Sequence, residues 1–230
     1  MGRIDCLIFS KDRPAQLDLL LRSIDRHAPN LYRSLTVLWT ISSNEYLPGY
    51  ETCANDHLKA WFVCELEFEG SVRDWLDSAS EIVSFLVDDD VFYRDATEPL
   101  ELPWSFRGGD YDYPFSLDGN VYAKADVLTL LNGLRFTDPT QLEALAHEKR
   151  GRLPFTMVAH GQPCLVGLPL NRVSVSSGMM YMGVHEYDLN ERYLCGGRLS
   201  LDDIEGRGRH GLPVTHLAAF PGWESDKVPA

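Results

Sequence analysis

Apolar runs alternate with helix-spaced leucines through residues 4–95. Ile4 to Ser10 (IDCLIFS) has the length and composition of a buried strand. Lys11-Asp12-Arg13-Pro14 forms a turn, and Pro14 suits a first helical turn, where its missing N–H has no intrahelical partner to lose. Leu17, Leu20, Leu21 and Ile24 recur at helical spacing and predict a helix from Ala15 to about His27. Leu35 to Ile41 is a second strand, followed by the polar loop Ser42-Ser43-Asn44-Glu45. A short helix around Glu51 to Trp61, a strand from Phe62 to Phe68 and a helix over Val72 to Ser80, capped by Ser71, lead to the apolar run Ile82 to Val87. This β-α-β-α-β-α-β order predicts an α/β fold with a mostly parallel, mixed sheet flanked by helices, Ile82 to Val87 lying inside it.

The pattern changes after Asp95. Thr97 to Pro114 is rich in Pro, Gly and aromatics (Trp104, Phe106, Tyr111, Tyr113) and reads as a loop-dominated segment. Phe115 to Ala123 predicts a strand with a turn at Asp118-Gly119-Asn120. Ala125 to Gly133 and Gln141 to Glu148 predict helices, and Pro163 to Pro169 a strand. From Asn171 the chain turns polar and Gly-rich, and Pro213 to Phe220, carrying His216, predicts a last strand. The expectation is one domain over 1–230, with 1–95 as a nucleotide-binding half and 96–230 as an acceptor-facing half.

Composition narrows the function classes. The 230 residues hold 21 Lys and Arg against 34 Asp and Glu, a formal charge of −13. Nucleic-acid binding needs a cationic surface, so the charge argues against that class, whereas one bound metal ion can offset a nucleotide diphosphate locally. Cys6, Cys53, Cys64, Cys164 and Cys195 are widely spaced with no CxxC pair, which fits reduced thiols in a cytoplasmic protein. The charged KDR turn follows the first strand directly, so no signal peptide is expected, and no apolar run reaches membrane-spanning length.

The strand Ile82 to Val87 ends in three consecutive carboxylates, Asp88, Asp89 and Asp90, with Val91, Phe92 and Tyr93 beyond. Adjacent like charges repel unless a cation sits among them. A polar turn is the bland reading. The favoured one is a divalent-cation site, Mn²⁺ or Mg²⁺, at the carboxyl end of a central strand, where open α/β sheets place their ligands. The turn after the first strand lies at that same edge beside a helix N-terminus, so Asp12 and Arg13 are candidates to contact a base and a phosphate; a solvated, capped turn explains them equally well.

Two chemistries use clustered Asp in this setting. Haloacid-dehalogenase-type hydrolysis needs a nucleophilic Asp in D-x-D-x-[TV] after the first strand, and FSKDRP lacks the second carboxylate. Glycosyl transfer from a nucleoside-diphosphate sugar needs the carboxylates after a base-binding half, where Asp88 to Asp90 stand.

With FLVDDDVF preceded by FSKDRPAQLDLLLRSI, the sequence resembles the GT-A glycosyltransferases, in particular the family-2-like nucleotide-diphospho-sugar transferases of bacterial surface-polysaccharide pathways. The resemblance covers residues 4–95 and thins afterwards. It implies a nucleoside-diphosphate-sugar donor and a saccharide or glycolipid acceptor. Asp88 and Asp90 would form the DxD, with Asp90 the direct metal ligand and Asp88 or Asp89 nearer the ribose. Asp12, Arg13, Ser42 and Arg73 would lie around the base. ISSNEY stands where the family commonly has an acidic DDGS.

Enzymes of this class that invert configuration use one carboxylate to deprotonate the acceptor, and Asp118 and Glu143 are the two candidates, each against the alternative of an ordinary surface carboxylate. His216 is a candidate further metal ligand, or a core histidine. Asn171-Arg172 could face a sugar or phosphate, or simply end a strand. Two other classes stay open: a non-catalytic nucleotide-sugar-binding relative, which intact DDD argues against, and a metal-dependent nucleotidyltransferase, which would usually carry a Gly-rich phosphate loop absent from FSKDRP.

Overall fold

A computed structural model of the chain describes residues 4–96, 99–103, 114–153, 156–160, 164–171, 182–208 and 222–224. The first part runs β1 (Ile4–Lys11), α1 (Pro14–His27), β2 (Tyr32–Thr40), α2 (Leu47–Asp56), β3 (Ala60–Cys64), α3 (Phe68–Ser78) and β4 (Ile82–Val87). It continues through β5 (Asp90–Phe92), β6 (Pro99–Pro103), β7 (Val121–Ala123), α4 (Lys124–Leu131), α5 (Pro139–Glu148), β8 (Thr156–His160), β9 (Leu165–Gly167), α6 (Glu186–Leu194) and α7 (Leu201–Gly208).

The central sheet has five strands in the order β3-β2-β1-β4-β7. The first four are parallel and β7 is antiparallel to β4, so the sheet is mixed and Ile82 to Val87 is an interior strand. Two small antiparallel pairs, β5 with β9 and β6 with β8, lie outside it.

The alternation in β1 explains the layering. Cys6 and Ile8 point to one face, where they pack with Leu17, Leu20 and Ile24 of α1, Tyr50 and Cys53 of α2, Leu189 and Tyr193 of α6, and Ile204 of α7. Leu7 and Phe9 point to the other, against Val72 and Leu76 of α3, Val127 and Leu131 of α4, and Leu142 of α5. A central strand buried on both faces reads as a continuous apolar run rather than an alternating one, which is what IDCLIFS and IVSFLV show. Each fully buried Leu contributes about 1.5–3 kcal/mol, so the leucine stripe of α1 is a large share of what holds that layer.

Several boundaries differ from the sequence expectation. β3 starts two residues earlier and stops at Cys64, α2 ends at Asp56, and α3 is capped by Glu67 rather than Ser71. Glu67 accepts from the Glu69 and Gly70 N–H groups, the capping role expected of Ser71. Only Val121–Ala123 of the stretch 115–123 is strand, because the backbone bends at 117–119. The polar stretch after Asn171 contains α6 and α7, helices that its composition does not announce. Residues 213–220, with His216, lie outside the described residues, as do Trp104, Phe106, Tyr111, Tyr113 and Arg172.

Candidate active site at the carboxyl end of the sheet

β1 and β4 are neighbours, yet the chain leaves β1 toward β2 on one side and returns to β4 on the other. Their carboxyl ends therefore diverge into separate loops and leave a crevice, the topological switch point where open α/β sheets bind ligands. Phe9 pairs with Val87, which sets the KDRP turn directly beside Asp88 and Asp89.

Arg13 fills this crevice. Its Nη1 donates to Asp88 Oδ1 at 3.0 Å and lies 3.2 Å from Asp89 Oδ2. Its Nε donates to Asn171 Oδ1 at 2.7 Å and its Nη2 to the Asn171 carbonyl at 2.6 Å. The planar guanidinium thus ties the ends of β1 and β4 to the segment after β9. Burial disfavours the charge on Arg13, but Asp88 and Asp89 more than offset it and raise its pKa. Arg13, a sequence candidate for a ligand phosphate, makes these hydrogen bonds to protein groups at the crevice.

Asp88 is buried. Its Oδ2 accepts from the Lys11 N–H at 3.0 Å, and its own N–H donates to Phe9 O at 3.0 Å. Burial lifts its carboxyl to about 6, with Arg13 opposing and Asp89 adding. Asp90 turns inward. Its Oδ2 accepts from the Val87 N–H at 3.0 Å, it is 1% exposed, and burial followed by the charge of Asp118 holds its pKa far above the usual range. It closes the β4–β5 turn from inside. Asp89 is the carboxylate that reaches solvent, with 21% of its side chain exposed, while its carbonyl accepts from the Leu168 N–H at 2.7 Å.

Around this centre, Ser10 Oγ and Tyr50 Oη are 2.7 Å apart, and the Arg13 N–H donates to Tyr50 Oη at 3.3 Å. Tyr50 stacks on Trp39 with ring centroids 4.9 Å apart. Nothing in the sequence marks Tyr50, because an aromatic on a short helix reads as core. Asp12 sits at φ 58°, the left-handed region that Asp tolerates better than most residues, and its Oδ1 accepts from the Ser42 N–H at 2.7 Å. Asp12 thereby joins the turns after β1 and β2, and Ser42 is exposed at the rim. Arg73 lies elsewhere: it bonds Glu69 Oε1 at 2.9 Å and the Leu131 and Leu134 carbonyls at 3.3 and 3.0 Å, and covers the Phe136 ring. It clamps α3 to α4 and does not line the crevice.

Asp118 and Glu143 are brought together. Gly119, at φ 82°, donates its N–H to Phe85 O at 2.8 Å, and a Cβ there would meet Leu165 Cδ2 at 2.5 Å. Only glycine lets this turn press between β4 and β9. Ser116 Oγ donates to Asp118 Oδ2 at 2.9 Å, and Glu143 Oε1 accepts from the Leu117 N–H at 3.3 Å. Burial, then the Asp118 charge, pushes the Glu143 carboxyl up to about 7. Two carboxyl groups in such different surroundings are the arrangement by which a site divides acid from base roles.

Among the described residues no three His, Cys, Asp or Glu side chains converge as a metal cage. Mg²⁺ and Mn²⁺ do not need one, since Mg²⁺ is commonly held by one or two carboxylates plus substrate phosphates and water. Asp89, half-buried with its carboxylate reaching solvent beside Asp88, fits that donor set, and inward-turned Asp90 does not. Among the described residues Asn171, 4% exposed, leaves its Nδ2 donor without a partner, an unpaired buried group of the kind a bound ligand or water satisfies.

No family model matches the chain, and no curated protein matches it. Among solved structures it is similar to the crystal structure of S. aureus TarS, with a TM-score of 0.43 and 14% identity, over 65% of this chain and 34% of that one. The chain thus spans about a third of that protein's length. A likeness of that size carries nothing about activity from one protein to the other. No helix among the described residues is long and apolar enough to cross a membrane.

Proposed function

We propose that this chain is a glycosyltransferase, taking a sugar from a nucleoside-diphosphate sugar bound in the crevice between the carboxyl ends of β1 and β4. The observation that supports this most is the joining of Arg13, Asp88 and Asp89 at the switch point of a doubly wound sheet. The resemblance of residues 4–95 to GT-A glycosyltransferases points to the same chemistry.

On this reading Asp89, supported by Asp88, holds Mn²⁺ or Mg²⁺ together with the donor diphosphate, and His216 is a further candidate ligand. The cation, when bound, offsets charge on the leaving nucleoside diphosphate. Arg13 fixes the two carboxylates so that they do not splay apart under mutual repulsion. Asn171 Nδ2 donates to a donor oxygen, and Asp12 holds the Ser42 loop that borders the base. Asp118 and Glu143 are the candidate groups to take the acceptor hydroxyl proton. The acceptor is a saccharide or glycolipid, and surface-polysaccharide synthesis is the setting the family resemblance favours.

The test is turnover of a panel of nucleoside-diphosphate sugars, by transfer or by slow hydrolysis, with Mn²⁺ and with excess chelator. Activity that appears with Mn²⁺ and disappears with chelator supports the proposal. Activity unchanged by chelator contradicts the metal role, and no turnover of any donor contradicts the assignment.

A further inference from the structure

Among the described residues β3 is the outer strand of the sheet with a free edge, and the most exposed large apolar residues lie on or beside it: Trp61 at 73% and Val63 at 46% in the strand, Leu58 at 86% in the turn before it and Leu66 at 94% just after it. Isolated exposed apolar residues need no explanation, but a cluster on an open strand edge does. Trp61 and Val63 lie on the same face, opposite Ala60 and Phe62, which pack toward α1 and α2.

The sequence around this edge is self-complementary. Read outward from Phe62, Leu58-Lys59-Ala60-Trp61 meets Val63-Cys64-Glu65-Leu66 as its mirror: Trp against Val, Ala against Cys, Lys against Glu, Leu against Leu. The backbone agrees with that centre. The Glu65 N–H donates inward to Trp39 O at 2.8 Å, so by strand alternation Phe62 and Cys64 direct their N–H and C=O groups outward. Ala60 spends its N–H on His57 O at 3.0 Å and turns its C=O outward.

We infer that the free edge of β3 pairs with β3 of a second copy of this chain, antiparallel and two-fold symmetric about Phe62. In that register Phe62 N–H and C=O bond reciprocally to Phe62 of the second copy, and Cys64 N–H donates to the second copy's Ala60 carbonyl. Trp61 then falls opposite the second copy's Val63 in a non-hydrogen-bonded pair, the spacing at which side chains are closest. An aromatic against a β-branched residue is a favourable cross-strand pair. The pairing spans Ala60 to Cys64, since Leu58 and Lys59 lie in the turn before the strand. An isologous contact needs one patch complementary to itself, and this edge has it in its outward backbone groups and in the Trp61–Val63 pair. The inference is independent of the proposed activity.

Sedimentation velocity from low micromolar to near-millimolar protein tests it. The parent chain should show a concentration-dependent monomer–dimer equilibrium. The doubles Trp61→Lys/Val63→Lys and Trp61→Glu/Val63→Glu change only exposed positions, so each should stay folded and remain monomeric, because like charges then face each other. Mixing the two at equal concentration should restore a one-to-one pair. As a second check, Ala60→Cys should form a disulfide with Cys64 of the second copy on mild oxidation, since hydrogen-bonded pairs hold Cα atoms about 5.5 Å apart, within disulfide range. A parent chain monomeric throughout overturns the inference. So does a dimer that the double-lysine variant retains, which places the contact on another surface.

Discussion

Arg13 donates from Nη1 to Asp88 Oδ1 at 3.0 Å, joining the end of β1 to the end of β4 across the crevice of the sheet. Both side chains are nearly buried, at 9% and 5% exposure. Removing one partner of such a pair leaves an uncompensated charge, which costs about 3–5 kcal/mol. Arg13→Ala should therefore lose about that much in urea unfolding. Arg13→Lys should recover only part of it, because an ammonium cannot serve Asp88, Asp89 and Asn171 in one plane. An Arg13→Ala chain as stable as the parent would show that the pair carries no structural role.

Glu143 provides a pH test whose sign is fixed. Its folded carboxyl is raised to about 7, above the ordinary value of 4.5. A raised acid contributes stability that is full below its unfolded pKa and is lost as pH rises through the folded value. The parent should therefore lose stability relative to Glu143→Gln between about pH 4.5 and 7, by at most about 1.4 kcal/mol for each pH unit crossed. Thermal unfolding of both chains at pH 5 and pH 8 measures it. An unchanged difference between the two pH values contradicts the raised pKa.

Asp12 tests the turn that carries Arg13. Its φ of 58° and its bond to the Ser42 N–H make two separable contributions. Asp12→Gly should keep the backbone while losing the hydrogen bond, a loss of about 1 kcal/mol. Asp12→Val adds the left-handed strain of a β-branched residue, about 1–3 kcal/mol more. Equal stability of the two variants would contradict a strained turn.

The acceptor-side carboxylates should separate rate from affinity. A group acting only in the transition state leaves donor binding nearly unchanged when removed. Asp118→Asn or Glu143→Gln should slow transfer by about 10²-fold or more while keeping donor affinity. Parent rates in both variants would require another carboxylate as the base.

The sheet is legible in the sequence because a strand buried on both faces leaves an unbroken apolar run. IDCLIFS and IVSFLV have that form, and their α/β alternation predicts the parallel core and its interior strand. The bounds of β3 are not legible, because an edge strand is only half covered: the sequence expectation divides helix from strand between Trp61 and Phe62, although both belong to β3 and face opposite ways. α6 and α7 are hidden because their buried residues, such as Tyr193 and Ile204, are few among polar neighbours. Within the site, DDD marks the place but not the roles, since three adjacent Asp look alike until the β4–β5 turn rotates Asp90 inward and leaves Asp89 outward. Arg73 looks like a ligand contact because sequence shows a cation and not the Leu131 and Leu134 carbonyls that occupy it.

The proposed activity turns on Asp89 as the outward, metal-facing carboxylate. Calorimetric titration of nucleoside-diphosphate sugars into the parent, Asp89→Asn and Asp90→Asn chains, with Mn²⁺ and with chelator, tests it most directly. At least one donor should bind the parent only with Mn²⁺. Asp89→Asn should lose that binding at least about tenfold, or about 1.4 kcal/mol, while Asp90→Asn keeps it. Binding that is indifferent to chelator, or lost in Asp90→Asn but kept in Asp89→Asn, would contradict that role.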